Sequence, residues 1–360
     1  MARRKTSIKR ARTAPSVVPA LFDPDAAATG EGLFGLDTAA QVARVVVIPV
    51  PFDATTSYRA GTANGPAAML QASKQVDLQD LQFGGVWKAG IAMLPIPKRI
   101  AALSRTARSA ALPILQAGGA RAGNAVHAKA LAIVNAASET VHAYVREAAK
   151  GILARGAIPA LLGGDHASPY ALIAELSRKH SGMGILQIDA HADLRQRFEG
   201  FTWSHASIFH NVLTRLPGVA RLTQVGIRDI AASEIAFINN SKGRVKTFFE
   251  QQMRDQQFAG GARGTWGALC KQIVATLPKD VYISFDIDGL TREHCPDTGT
   301  PVPGGLSFSE ACHLLGVLRA SGKRIIGFDL CEVSPAPHDG EWNANVGARV
   351  LYKLAGCALK

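Results

Sequence analysis

The stretch Gly184-Ile185-Leu186-Gln187-Ile188-Asp189-Ala190-His191-Ala192-Asp193 frames the rest of the chain. A short, largely apolar run goes straight into three ionisable residues at alternate positions, the form expected of a strand buried on both faces whose end carries chemistry. The form recurs. Val45-Val46-Val47-Ile48-Pro49-Val50 is a continuous run rich in β-branched residues, and further short apolar segments stand at 158–162, 221–225, 281–285 and 324–328. Helical patterns separate them. A long one runs from about residue 127 to 155, with Leu131, Val134, Ala137, Val141, Tyr144 and Val145 mostly at three- and four-residue steps; others lie near 169–179, 265–276 and 307–318. Ser307 followed by Glu310 gives the last a capping-box start. Strand and helix in alternation predict an α/β fold: a single three-layer α/β/α domain with a doubly wound parallel sheet over residues 44–360, because no linker-like stretch divides the series. Residues 1–43, rich in Ala, Thr, Pro and Gly and without a period, are expected to form a basic, flexible N-terminal arm.

The 360 residues carry a formal net charge of +12, and its location decides what it means. Arg3, Arg4, Lys5, Lys9, Arg10 and Arg12 supply six of those charges before residue 13, with no acid and no aromatic beside them. A surface that tracks nucleic acid needs basic residues spread over a fold with aromatic platforms, so nucleic-acid binding is not expected. The tail also has the composition of a transit peptide, but no apolar stretch of a secretory signal accompanies it. Gly, Pro or charge interrupts every apolar run well short of the ~20 residues a bilayer requires, so no membrane span is expected. The five cysteines, Cys270, Cys295, Cys312, Cys331 and Cys357, form no C-x-x-C pair, and a reducing cytoplasmic compartment is the default expectation.

In an open parallel sheet, ligands bind beyond the carboxyl ends of the strands. Four such ends carry polar clusters: Gly163-Gly164-Asp165-His166, Asp189-Ala190-His191-Ala192-Asp193, Asp286-Ile287-Asp288 and Asp329-Leu330-Cys331-Glu332. Alternate residues of an extended segment project to one side, so Asp189, His191 and Asp193 can converge, as can Asp286 and Asp288. Carboxylates concentrated in this way repel and acquire protons or cations. Six candidate ligands, His166, Asp189, His191, Asp193, Asp286 and Asp288, exceed what one ion needs and suit a pair of divalent first-row ions.

These motifs, in this order, resemble the ureohydrolase family of arginases and agmatinases, on the agmatinase-like side. The resemblance spans about residues 44–355 and includes Pro51-Phe52-Asp53, Gly61-Thr62-Ala63-Asn64-Gly65-Pro66, Ser284-Phe285-Asp286-Ile287-Asp288-Gly289, the loop Gly299–Gly305 and Glu332-Val333-Ser334-Pro335. It implies a hydrolase of non-peptide C–N bonds in linear amidines. His166, Asp189, Asp193 and Asp286 would hold one ion and Asp189, His191, Asp286 and Asp288 the other, the ions being Mn²⁺ or Ni²⁺. A shared water made acidic by both would attack a guanidinium carbon, and urea and an amine would leave. His205 matches the family's active-site histidine, suited to proton transfer, and Glu332 the carboxylate that pairs with the guanidinium. Thr300 falls on the loop that lines the pocket in relatives, and Asp165 is expected to orient its surroundings.

Departures narrow the substrate. Arginases have an Asn and a Ser after the second metal motif to receive the amino acid's carboxylate, and this chain has Leu194-Arg195-Gln196-Arg197-Phe198-Glu199; Ala231 replaces an Asp that receives the amino group. Arginine is therefore a poor candidate, and agmatine, guanidinobutyrate, guanidine or an alkylated guanidino or biguanide compound is expected. Asp193-Leu194-Arg195 also resembles formimidoylglutamases, which makes Arg195 a candidate substrate contact and an acidic amidino substrate the alternative. Trp203 and Trp342 are candidates to face the pocket and hold a small cation against their rings. A non-catalytic subunit of a mixed oligomer is the alternative of another class, and the family's habit implies a homo-oligomer, trimeric or hexameric.

Overall fold

Burial alternates along the strands in a way that builds two cores at once. In β1 (Val45–Val50), Val45 and Val47 join one apolar cluster while Val46, Ile48 and Val50 join the other, and all six residues are buried. A computed structural model describes residues 17, 22–262, 264–335 and 341–359. Among these, β1, β2 (Ile91–Met93), β3 (Ile158–Gly163), β4 (Met183–Ile188), β5 (Val219–Ile227), β6 (Val245–Phe249), β7 (Asp280–Asp286) and β8 (Arg324–Cys331) form one sheet in the order β2-β1-β3-β8-β7-β4-β5-β6. Every pairing is parallel.

Helices cover both faces, as a parallel sheet requires. One face carries α1 (Gly65–Ala72), α7 (Glu250–Phe258), α8 (Trp266–Ala275), α9 (Phe308–Ala320) and α10 (Trp342–Ala358). The other carries α2 (Lys98–Gln116), α3 (Ala125–Ala154), α4 (Tyr170–Lys179), α5 (Ile208–Arg215) and α6 (Ala232–Asn240). The expected helix at 127–155 is α3, which starts two residues earlier because the Asn124 side chain caps the N–H groups of Val126 and His127. Ser307 and Glu310 close their capping box at the head of α9.

The chain passes from β3 to β4 over a gap that β7 and β8 fill later, so four central strands direct their carboxyl ends to one place, at the switch of strand order. The expected arm divides. Its basic residues 1–16 lie outside the described residues, whereas Leu33, Phe34 and Leu36 are buried and Phe34 packs edge-on against Tyr352 at 4.8 Å, so this stretch belongs to the body. The five cysteines are free, and no helix among the described residues is long and apolar enough to cross a membrane.

Candidate metal centre and substrate cavity

The carboxyl ends of β3, β4 and β7 bring four side chains to one point. His166 Nδ1 stands 3.0 Å from Asp189 Oδ2, 3.0 Å from Asp193 Oδ2 and 3.2 Å from Asp286 Oδ2. Yet Nδ1 makes no hydrogen bond. Atoms this close without hydrogen-bond geometry are directed at a common centre. Ligands about 2.1 Å from one octahedral cation stand about 3.0 Å apart. Ser284 Oγ donates to Asp329 Oδ2 at 2.8 Å and so can accept from His166 Nε2–H at 3.0 Å, which turns Nδ1 toward the carboxylates; burial opposes charge on the ring, but Asp189, Asp193 and Asp286 outweigh it and raise the imidazole well above its usual range.

A second group adjoins the first. His191 Nδ1 lies 3.1 Å from Asp288 Oδ2 and 3.7 Å from Asp189 Oδ1. Two sets of side chains can thus hold a metal ion, His166 with Asp189 and Asp286, and Asp189 with His191 and Asp288; Asp189 is common to both. Asp286 presents Oδ2 to His166 while its Oδ1 accepts the Asp288 N–H. The close approach of the two loops depends on Gly289, where a Cβ would fall 2.7 Å from the Asp189 nitrogen. Asp193 and Glu332 hold left-handed backbone, φ 54° and 62°, strain of the kind that accumulates at functional sites.

Electrostatics agree with a cation-binding centre. Burial and the neighbouring Asp189 carboxylate push Asp193 up to about 7, and burial with Asp288 and Asp189 raises Asp286 well above the usual carboxylate range. Burial opposes charge on His191 as well, but Asp288 and Asp189 outweigh it and raise the imidazole to about 10. Asp288, against its burial, is held down at about 2 by His191 and the Ala190 N–H. A cluster of buried acids that draws in protons this strongly draws in divalent cations by the same force.

Above the ligands opens a cavity of about 530 Å³ whose wall includes His191, Asp193, Arg195, His205 and Thr300. His205 begins a short 3-10 turn (His205–Ser207) ahead of α5; burial and the nearby His191 hold it down at about 3, and it is neutral near pH 7. Its Nδ1 lies 3.4 Å from Ser204 Oγ. Glu332, at the end of β8 and only 6% exposed, accepts the His166 N–H at 2.9 Å through Oε1, while Oε2 has no partner. A Cβ on Gly299 would sit 3.5 Å from that free oxygen, so the Gly299–Thr300 loop covers it, and Glu332 lies behind this loop and not among the residues that line the cavity. Asp165 accepts from Thr55 Oγ1 and the Ala167 N–H.

The tryptophans do not line this cavity. Trp203 is buried with its ring against His142 and Tyr170, at 4.6 and 4.7 Å, and under the Arg215 guanidinium. Trp342 is half exposed and gives its N–H to the Glu293 carbonyl. Arg195 does reach the wall; it stacks on Phe198 at 4.8 Å and lies 3.6 Å from Glu234. Residues that the sequence reading passed over complete the site. Tyr58, Arg59, Asp229 and Arg292 line the cavity. Arg228 donates to the carbonyls of Asp288, Leu290, Val302 and Pro303 and so ties the third metal motif to the cavity loop. Asp53 accepts the N–H groups of Gly61 and Ala63, which explains why the first two loop motifs occur together.

The sequence model of the Arginase family matches residues 43–356. The chain belongs to the arginase family. It is 31% identical over 322 residues to an N(1)-aminopropylagmatine ureohydrolase of Thermus thermophilus, covering 89% of this chain and 92% of that protein. It is 30% identical over 210 residues to a guanidinobutyrase of Pseudomonas aeruginosa, covering 56% and 61%. Among solved structures, a hypothetical agmatinase from Burkholderia thailandensis superposes with a TM-score of 0.68 at 25% identity over 97% of this chain and 96% of that one. The arginase-family fold thus carries, here, a hydrolase of amidino C–N bonds with a buried metal-binding cluster.

Proposed function

We propose that this arginase-family enzyme is a two-metal hydrolase that splits a guanidino compound other than arginine into urea and an amine. The observation that carries the reading is the free, buried Glu332 Oε2 beside the metal-ligand cluster. A carboxylate oxygen in that position lacks a cationic planar partner, and a guanidinium supplies one with both charge and orientation. His166, Asp189, Asp193 and Asp286 would hold one ion, and Asp189, His191, Asp286 and Asp288 the other, as Mn²⁺ or Ni²⁺. Bound there, the two ions would lower the pKa of a shared water so that a nucleophile is available near neutral pH.

The chain's own residues do the rest. Glu332 anchors the guanidinium with its central carbon toward the ligand cluster, and the Thr300 loop closes over it and keeps bulk water out. His205, neutral near pH 7 and with Nδ1 toward Ser204, accepts at Nε2 the proton that the attacking water releases and delivers it to the departing nitrogen. The wall away from the ligands distinguishes substrates. Glu234 is engaged by Arg195 and by the N–H groups of Leu194 and Ala231, which leaves two arginines, Arg59 and Arg292, against one acid, Asp229, as the charged lining away from the ligand cluster. That balance favours a guanidino acid such as guanidinobutyrate over a substrate with a cationic far end such as agmatine. Release of urea from a guanidino panel, measured with the Mn²⁺- and the Ni²⁺-loaded protein, tests both statements. Turnover of guanidinobutyrate above agmatine is expected; no urea from any member would overturn the function, and preference for agmatine would overturn the substrate class.

A further inference from the structure

Two glutamines inside the sheet connect the metal cluster to an edge strand. Gln187 of β4, Gln224 of β5 and Thr247 of β6 are register partners across three neighbouring strands, and both glutamines are fully buried. Gln187 Nε2 donates to Asp189 Oδ2 at 2.8 Å and to the His191 carbonyl at 3.0 Å. Its Oε1 accepts from Gln224 Nε2 at 2.7 Å, and the same nitrogen donates to the Ala192 carbonyl at 2.8 Å. Gln224 Oε1 in turn accepts from Thr247 Oγ1 at 2.8 Å. Every amide hydrogen of the pair is used. The order has one direction only: the carboxylate demands the NH₂ end of Gln187, which turns its oxygen to Gln224 and fixes that amide too.

Asp189 is the carboxylate common to both ligand groups, and each of its oxygens has one protein donor. Oδ1 accepts the His191 N–H at 2.7 Å, and Oδ2, the oxygen 3.0 Å from His166 Nδ1, accepts from Gln187. The two donors fix the plane of the carboxylate, with one oxygen toward each group and a lone pair left on each. Gln187 and Gln224 also hold the carbonyls of His191 and Ala192, so the loop that bears three ligands hangs from the sheet by the same amides. We infer that Gln187, locked by Gln224 and Thr247, is a positioning residue that fixes Asp189 as the bridge between two ions, and that the half-buried edge strand β6 thereby sets metal occupancy. This rests on the two-metal reading of the site.

The test measures Mn²⁺ binding by competition with a chromophoric chelator, together with melting of the cation-free protein and urea release. Gln187→Met, which keeps the side chain's length and loses its donors, is expected to weaken the weaker of two Mn²⁺ sites by about 10–100-fold. Thr247→Val should weaken the same site by about 3–10-fold, the worth of one buried hydrogen bond, while Thr247→Ser restores it. Saturating Mn²⁺ should bring kcat back toward wild type with KM unchanged. If Gln187→Met does not fold, Thr247→Val and Thr247→Ser decide. Folded variants that bind two ions with wild-type constants would overturn the inference, whereas a wild type that binds fewer than two ions would overturn the reading beneath it.

Discussion

Strand β7 has an aspartate at each end, and the two live in opposite conditions. Asp280, at the amino end, is register partner to Arg324; Arg324 Nε donates to it at 2.7 Å and His180 stands 3.4 Å away. The Arg324 hydrogen bond outweighs the modest burial and holds its carboxyl below the usual range. Asp286, at the carboxyl end, is buried among Asp189, Asp288 and Glu332, with no arginine or lysine within ion-pair distance among the described residues and a carboxyl raised well above that range. One carboxylate has an arginine to itself; the other shares the single His166 imidazole with Asp189 and Asp193. A buried cluster with more acids than cationic side chains marks function more surely than an ion pair does.

The comparison predicts its own contrasts. Asp286→Ala should abolish metal binding and urea release together, whereas Asp280→Ala should leave both intact; metal analysis beside a urea assay decides, and full occupancy with turnover in Asp286→Ala would remove it from the ligand set. Glu332→Gln keeps the shape but not the charge, and should cost about 10²–10³-fold in kcat/KM at unchanged metal content. His205→Ala should keep both ions and lose about 10²-fold in kcat, since it serves proton transfer alone; an unaltered rate would exclude it from the mechanism.

The pH dependence of stability separates the two ends further. Asp193, up at about 7 against 3.8, keeps a proton in the folded chain that the unfolded chain has lost over that interval. Stability of the cation-free protein therefore falls as pH rises from about 4 to about 7, offset in part up to about pH 6.5 by His205, which at about 3 acts with the opposite sign, and His191, at about 10 against 6.5, continues the fall. Melting temperatures should be lower at pH 8 than at pH 5 without cation, and added Mn²⁺ should reverse the order; equal values would show that the cluster takes up no protons. The smallest effect belongs to the amino end. Arg324 is about half exposed, so Arg324→Ala should change stability by at most about 1 kcal/mol and leave turnover alone.

Much of this was legible in the sequence because burial on both faces writes a strand as an unbroken apolar run. Six strands could be read so, with ends moved by a few residues. The other two are sheet edges: β2 has three residues, and β6, Val245–Phe249, mixes Lys246 and Thr247 into a half-covered strand that shows no such run. The candidate metal ligands stood out because they follow the runs. Gln187, Gln224 and Ser284 sit inside them, and their signal was the oddity of an uncharged polar residue at a fully buried strand position. The tryptophans show the opposite limit: proximity in sequence to His205 and Glu332 does not say which side of a loop a ring takes, and Trp203 turns toward α3 and α4 instead.

The place of β8 has a consequence for how the protein comes into being. It is the last of the sheet's strands in chain order among the described residues, yet it enters the middle of the sheet, between β3 and β7. Until Arg324–Cys331 leaves the ribosome, β3 and β7 are open edges, and the sheet is two separate halves with sticky flanks. Glu332 follows directly, so the group proposed to hold the guanidinium arrives with the strand that unites the halves. Released chains that end before residue 324 should be cut by protease within β3 and β7 and should recruit chaperones, while the full chain should resist; equal protection of both would show that the halves pair without their keystone.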